Sequence, residues 1–513
     1  MSFLNTPNRR FLIAVSNLVY VNPFLPDMMT YERDALGSEV TEEPAIWSMS
    51  VSDPDRVRVN TWRIMERLTQ ILKTLRASLA SGAAASETDL LLYEDGLLYY
   101  FYYQHYQSLI LATFQQKGRD KDRWTFYRGF CDEWTYYFQI PGVTLPTRHQ
   151  ARHTFACYYQ VVRAFHHIFD QIIGNSQPAA RLRAAVWQSV FTHDTRRYRR
   201  TLYGRMSEFA TLITGPSGTG KELVARSIAM SRYVPFDENR LAFDEDLSRL
   251  FFPINIAALP GTLVESELFG HKRGAFTGAV QDKRGWLEEC PALGAVFLDE
   301  IGDLDPAIQV KLLRVIETRS FQAVGEGSAA LHRFEGKLIA ATNRNLERAI
   351  RRRAFREDLY YRLCSDQIAT PSLRRQIDES PGVLNDLILF MARRVAGGEA
   401  ESLALEAIAW VDKNLGPGYA WPGNYRELEQ CVRNILIRKD YQPHRAEPRA
   451  RNDIFAPARD GGLTANELLS RYCTLVYSQT GSYEETARRL QIDRRTVKAR
   501  VDTGLLAELA KCS

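Results

Sequence analysis

The sequence predicts an α/β core, a parallel sheet flanked by helices and carrying a phosphate-binding loop, set between a mainly α N-terminal region and a short all-α C-terminal domain. Three stretches carry that expectation. Residues 209–214 are a short apolar run with a β-branched end, followed by Gly215, Pro216, Ser217, Gly218, Thr219, Gly220 and Lys221 and then a helical pattern over 222–230. Residues 293–298 form a second apolar run, of the kind shown by a strand buried on both faces, and it ends in Asp299 and Glu300. Residues 463–501 hold three helical patterns separated by short turns, the last of them strongly basic.

The chain has 513 residues, enough for about three domains at roughly 150 residues each. A hydrophobic content of 45% with 25% charged residues fits a soluble globular protein, and a net charge of +5 is too small to diagnose nucleic-acid binding by itself. The seven cysteines are scattered with no CxxC pair and no histidine at zinc spacing, which fits a reduced, cytoplasmic setting. The opening residues place two arginines before an apolar run, but Ser16 and Asn17 interrupt it, so it reads as folded structure and not as a signal peptide. Residues 96–114 are rich in tyrosine and leucine, yet Gln104, His105 and Gln107 keep them short of about 18 uninterrupted apolar residues, so no membrane partner is expected.

In the first third, Ile64, Met65, Leu68, Ile71, Leu72, Leu75 and Leu79 recur at three- and four-residue intervals, the spacing of one buried helical face over 61–80. Small residues at 81–87 end that helix. A second, aromatic-rich segment follows with Tyr99, Tyr100, Phe101, Tyr102, Tyr103 and Tyr106, and a third apolar segment spans 155–173. The tyrosines fit either a packed core or subunit interface, or the lining of a pocket for an aromatic or apolar effector. The turn-forming residues at 174–178 mark a boundary.

The glycines of the loop at 215–220 let backbone N–H groups approach phosphate oxygens, the following helix adds a favourable dipole, and Lys221 can reach the terminal phosphates. ATP is the expected ligand. Glu222 stands where the general pattern has a magnesium-binding Ser or Thr. Downstream, Asp299 can hold Mg2+ and Glu300 can orient or deprotonate water, although two acids after a strand can also merely cap a helix. Between these elements lies Gly274, Ala275, Phe276, Thr277, Gly278 and Ala279, a segment with an exposed aromatic and a hydroxyl framed by small residues. Six such residues alone fit a surface hairpin tip; beside a nucleotide site they read as a contact loop for a partner protein.

Residues 441–462, with three prolines, a closing Gly-Gly and interspersed charges, read as a linker. Beyond it, helical patterns over 463–479 and 483–490, a turn at 491–493 and a basic helix from Arg494 form a helix-turn-helix. Six positive side chains face one acid, Asp493, between Arg488 and Arg500. Arg494, Arg495, Thr496, Lys498 and Arg500 can contact phosphates or base edges, although the turn lacks a glycine at Gln491 and a solvated basic helix has the same composition.

Taken in order, ITGPSGTGKELVAR, VESELFGHKRGAFTGA, GAVFLDEIGDL, KLLRVIE, IAATNRNL, FREDLYYRL and WPGNYRELEQ resemble the bacterial enhancer-binding proteins, the AAA+ activators of sigma-54 RNA polymerase, from about residue 180 to 440. ARRLQIDRRTVKARV resembles their Fis-type DNA-binding end. The resemblance implies a P-loop AAA+ subdomain over 180–372 with a helical lid over 373–440, after a helical regulatory domain over 1–179 and before a DNA-binding domain over 463–513. It also implies that Glu222 is ordinary at its position. Asn255 resembles the switch residue for Glu300, Thr342 and Asn343 the first sensor, Arg356 and Arg362 arginine fingers serving a neighbouring subunit, and Arg426 the second sensor. For each arginine, spacing alone equally fits a surface ion pair.

By the same resemblance the active form is a ring, a hexamer by precedent, and the GAFTGA loop grips sigma-54 in the polymerase holoenzyme while the C-terminal domain holds upstream enhancer DNA. Two departures stand out. Lys221 and Asn255 are 34 positions apart, and residues 233–249 are longer and more acidic than their counterpart in the family, which reads as an inserted surface loop; residues 374–385 also differ from the usual start of the lid. No familiar sensory module precedes residue 180, so control is expected through a ligand or regulatory protein bound by the helical region. The competing readings are a DNA-binding regulator or repressor that uses the AAA+ domain for nucleotide-dependent assembly, and a remodelling ATPase unrelated to transcription.

Overall fold

Five parallel strands organise the centre of the molecule: β1 (Thr211–Thr214), β2 (Phe251–Asn255), β3 (Ala295–Asp299), β4 (Lys337–Thr342) and β5 (Asp366–Ala369), in the spatial order β2-β3-β4-β1-β5. The computed structural model describes residues 3–43, 58–114, 124–243, 250–327, 330–443 and 462–510. β1 and β4 are nearly continuous apolar runs and are buried on both faces, as parallel strands covered by helices must be. Their register pairs Thr214 with Thr342 on one side and with Ala369 on the other. The residues that leave the strands at that end, Gly215, Asn343 and Thr370, therefore emerge together, as do Asn255 and Asp299.

Residues Met1–Asp440 form one compact unit and Tyr441–Ser513 a second. Before the sheet, the first unit is helical, with Thr6–Tyr20, Asp27–Leu36, Val59–Ala80, Glu87–Gln104, Tyr106–Phe114, Tyr127–Phe138, Ala151–Gln171 and Gln177–Phe191. The periodicity read at 61–80 is the buried face of Val59–Ala80, with Ile64, Leu68, Leu72 and Leu79 inside. The N-terminal arginine-and-apolar segment is the first helix, with Phe11, Leu12 and Val15 buried. Among the described residues no helix is long and apolar enough to cross a membrane. After the sheet come Leu373–Glu379, Val383–Ala396, Ala400–Asn414 and Asn424–Arg438, with Leu387, Ala407 and Leu428 buried.

Residues 233–243 of the segment expected as an inserted surface loop are packed instead. Phe236–Asp237 and Ala242–Phe243 pair as a small antiparallel hairpin, and its aromatic side chains enter the N-terminal helical core. Phe236 is 3% exposed, with its ring 4.7 Å from Tyr127 and 4.9 Å from Phe155, while Phe243 stacks 3.8 Å from Tyr159. A stretch read as polar by its acids is thus anchored by its two phenylalanines; residues 244–249, which hold most of those acids, lie outside the described residues. Phe236→Ala is expected to cost about 3–5 kcal/mol, the usual range for emptying a buried aromatic site. A urea unfolding midpoint that does not move would show the hairpin to be peripheral.

The helix Ala151–Gln171 packs along Lys221–Met230, the helix that follows the phosphate loop. Gln160 Nε2 donates to the Ser231 carbonyl at 2.9 Å, Ser227 Oγ to the His167 carbonyl at 3.2 Å, and the Arg163 guanidinium to the Met230 carbonyl. The second unit starts with Ala465–Thr480, whose Thr464 and Glu467 make a reciprocal capping box, and continues with Tyr483–Leu490, Arg494–Arg500 and Thr503–Ala510. The linker expected at 441–462 lies mostly outside the described residues.

Candidate nucleotide site and its surroundings

The loop after β1 is shaped by close approaches that only glycine allows. Gly215 (φ 149°) and Gly218 (φ 77°) have positive φ, and a Cβ at Gly215 would lie 2.1 Å from Thr370 Oγ1, one at Gly218 2.2 Å from the Gly423 carbonyl oxygen. The lid is tied directly to the loop: the Tyr425 N–H donates to the Gly218 carbonyl at 3.0 Å, Asn424 Nδ2 to the Ser217 carbonyl at 2.8 Å, and Arg426 Nη1 to Ser217 Oγ at 3.4 Å. Asn424 also accepts from the Leu373 N–H at 2.8 Å, so one side chain joins loop, lid helix and lid start. The sequence reading missed it; its only local signal is the Pro-Gly-Asn turn, where Asn424 has φ 51°.

Lys221 begins the helix after Gly220 and turns back, donating from Nζ to the carbonyls of Gly215 and Pro216 at 3.1 Å each. Burial holds its ammonium below the ordinary lysine range, against the pull of Glu300 and Asp299. Asp299 closes β3 half-buried, and burial pushes its carboxyl up, although its Oδ1 accepts the Glu300 N–H at 3.1 Å. Glu300 takes a left-handed conformation (φ 57°), which aims its carboxylate across the strand ends, where Oε2 accepts the Asn343 N–H at 3.1 Å. Asn255 does not make that contact. It ends the edge strand beside Asp299, exposed, and the hydrogen bond to Glu300 comes from the Asn343 backbone.

These groups line one cavity of about 610 Å3 that contains Ser217, Gly218, Thr219, Gly220, Lys221, Glu222, Asp299, Glu300 and Arg426. Ile172, Ile173 and Ala179 line it too, so the helical N-terminal region supplies part of the site, a contribution that only folding reveals. Arg356 and Arg362 are not there. Arg356 precedes the helix Glu357–Leu363 and makes a two-pronged pair with Asp358 (3.0 and 2.6 Å), and Arg362 pairs with Glu317 at 3.1 Å; both are exposed.

The GAFTGA segment is a closed turn. His271 and Lys283 exchange backbone hydrogen bonds at 2.9 Å across its base, Lys272 donates to the Val324 carbonyl at 2.9 Å, and Gly274 and Ala279 close the tip at 2.9 Å. Positive φ at Gly274 (81°) and Gly278 (102°) makes the turn tight. That tightness corrects the expectation of an exposed aromatic: Phe276 is half-buried, its ring 4.9 Å from His271, while Ala275 rests on Gly325 and Ala279 is buried. Gly274, Thr277, Gly278 and Val280 are exposed, Val280 at 81%.

In the second unit Gln491 takes the left-handed conformation (φ 56°) that a glycine would otherwise supply. Asp493 caps the basic helix, accepting from the N–H groups of Arg495 (2.8 Å) and Thr496 (3.0 Å) and from the Thr496 hydroxyl. Thr496 is thereby committed to the cap, Arg494 pairs with Glu484 at 2.9 Å, and Arg500 leans on the first helix of its unit at the Asn466 carbonyl. Arg495 and Lys498 are exposed and carry no ion pair among the described residues.

Residues 192–369 match the family model described as the sigma-54 interaction domain. The chain is 38% identical over 272 residues to the Nif-specific regulatory protein of Enterobacter agglomerans, covering 53% of this chain and 45% of that one. It is 37% identical over 302 residues to the transcriptional regulatory protein ZraR of Klebsiella oxytoca (58% and 63%), and 42% identical over 231 residues to the sigma54-dependent transcriptional regulator SfnR of Pseudomonas fluorescens (45% and 57%). The chain spans about half the length of the curated relatives it matches.

Proposed function

From the sigma-54 interaction domain that joins this chain to the enhancer-binding proteins, we propose that it is a cytoplasmic ATPase that activates transcription by remodelling sigma-54 RNA polymerase, bound to upstream DNA through its C-terminal unit. The observation that carries this reading is the meeting of Lys221, Asp299, Glu300 and Arg426 around one cavity large enough for a nucleotide. Lys221, now held by two loop carbonyls, exchanges them for phosphate oxygens, which are stronger, charged acceptors. The left-handed glycines and the start of Lys221–Met230 surround the phosphates with N–H groups, and Arg426 follows the nucleotide with the lid.

Among the described residues no three His, Cys, Asp or Glu side chains gather as a metal site. Magnesium does not require one, since it takes one or two carboxylates and fills its shell with phosphate oxygens and water. Asp299, a half-buried carboxylate in the cavity with Lys221, fits that role, and the ion when bound neutralises phosphate charge. Glu300 orients the water that attacks the terminal phosphate, and Asn343, hydrogen-bonded to it, relays the phosphate's presence. Arg356 and Arg362, exposed and away from the chain's own cavity, serve a neighbouring subunit in a ring, a hexamer by family precedent.

The GAFTGA tip is the contact with sigma-54, with Phe276 released from His271 and Thr277 already exposed. Thr277→Ala is expected to leave ATP turnover within about twofold while abolishing activation, because an exposed hydroxyl at a loop tip contributes little to the fold. Parallel loss of hydrolysis would misplace the loop's role. On DNA, Arg495→Ala is expected to weaken binding by about 1–3 kcal/mol and to flatten its salt dependence. The N-terminal helices regulate the motor through a ligand or partner protein. ATP-dependent transcription from a sigma-54 promoter by purified components, absent with Glu300→Gln, tests the proposal; footprinting and nucleotide-dependent assembly without such transcription would favour a regulator that only assembles.

A further inference from the structure

The aromatic helices of the N-terminal region leave a cavity of about 170 Å3 among them. An engineered apolar cavity of about 150 Å3 admits one benzene ring, so the space suits a single-ring molecule. Tyr99, Tyr102, Tyr103, Phe165, Phe169 and Trp187 are among the residues that wall it. Such a wall would be expected to hold a neutral ligand were it not for its two arginines. Arg58 is paired with Glu32 and Glu43 at 3.2 Å each. Arg199 has no acidic partner among the described residues, and the neutral side chains of Cys157 and Tyr158 lie beside it. Its Nε and Nη2 atoms are buried without a hydrogen-bond partner, its guanidinium lies 5.7 Å from the Tyr158 ring, and no carboxylate lies within ion-pair distance among the described residues. Asp95, in Glu87–Gln104, is already engaged by Arg196, Ser16 and Tyr20.

An arginine stays charged in a protein, and a buried charge without a partner is costly. We propose that this cavity binds a single-ring aromatic carboxylate, the ring among the tyrosines and the carboxylate on Arg199. The proposal deepens the regulatory role given above to the N-terminal helices, and rests on it only for its effect on the motor. That effect has a route. Ala151–Gln171 lines the cavity with Tyr158, Val161, Phe165 and Phe169, and through Gln160 and His167 it holds Ser231 and Ser227 at the end of the phosphate-loop helix. Just past its C-terminus, Ile172 and Ile173 line the nucleotide cavity, and Ser176 donates to Gln376 of the lid at 3.0 Å. A ligand that moves this helix moves two walls of the nucleotide site.

The test is calorimetric titration of the full chain with benzoate and with benzamide, its neutral counterpart, without nucleotide, DNA or polymerase. One benzoate is expected per chain, with benzamide at least about tenfold weaker because a charge-assisted pair is lost. Arg199→Gln, checked for native circular dichroism, is expected to weaken benzoate at least about tenfold and leave benzamide unchanged. Val161→Phe, which fills the cavity and keeps Arg199, is expected to lose both. Absence of saturable benzoate binding to the unmodified chain, or equal affinity for the two compounds, overturns the site whether or not the Arg199 variant folds. Saturating benzoate is expected to change ATP turnover at least about twofold; a constant rate in chains that bind it overturns the coupling. Since binding is read without polymerase, its failure leaves the transcriptional reading intact, and failed transcription leaves the cavity's ligand class standing.

Discussion

Glu300→Gln is expected to lower ATP turnover by about 10²–10⁴-fold, the span associated with a positioned general base, while nucleotide affinity stays within about threefold. The amide carbonyl of glutamine can still accept the Asn343 N–H that now meets Glu300 Oε2 at 3.1 Å, so the side chain keeps its place and loses only its basicity. Glu300 sits in a left-handed conformation that an amide side chain tolerates as well as an acid does, so the loop should not rearrange. Steady-state hydrolysis and equilibrium binding of a nucleotide analogue decide the matter together. Turnover above about a tenth of the original rate would remove Glu300 from the chemistry; joint loss of binding and turnover would make it a support for the loop.

Arg356→Ala and Arg362→Ala are each expected to cost about 10³–10⁵-fold in turnover, the magnitude of an arginine finger, while the isolated chain remains as stable as before. Their present partners are Asp358 and Glu317, in pairs whose side chains are about half exposed, and such surface pairs contribute about 0–1 kcal/mol. Neither residue lines the nucleotide cavity of its own chain, so the loss has to arise between subunits. Mixing either variant with Lys221→Ala, each nearly inactive alone, should restore part of the turnover, because some interfaces then combine an intact loop with an intact finger. Mixtures no more active than their components would show that the arginines act within one chain or only as ion pairs.

How much of this was legible beforehand follows the range of each interaction. The phosphate loop, the strand ending in Asp299 and Glu300, and the helix at 61–80 rest on patterns within about twenty residues, and the described strands and helices match them to within a few positions. Small flanking residues signal a loop with Phe276 exposed, whereas the turn made by Gly274 and Gly278 folds its ring onto His271. Resemblance pairs Asn255 with Glu300; the parallel register sets Asn255 beside Asp299, and in this structure the Asn343 backbone meets the Glu300 carboxylate.

The inserted segment shows the limit most plainly, since its acids signal solvent and its two phenylalanines gain meaning only from Trp124, Tyr127, Phe155 and Tyr159, far away along the chain. Local sequence thus determined which residues can surround a phosphate, cap a basic helix or form a loop tip, because glycine geometry, side-chain charge and helical period act between near neighbours. Tertiary structure alone decided that Ile172 and Ile173 wall the nucleotide cavity, that Asn424 clasps the phosphate loop, and that the Arg199 guanidinium stands among tyrosines with none of the described carboxylates beside it. Those outcomes depend on which distant surfaces exclude water together, and no spacing along one chain records that.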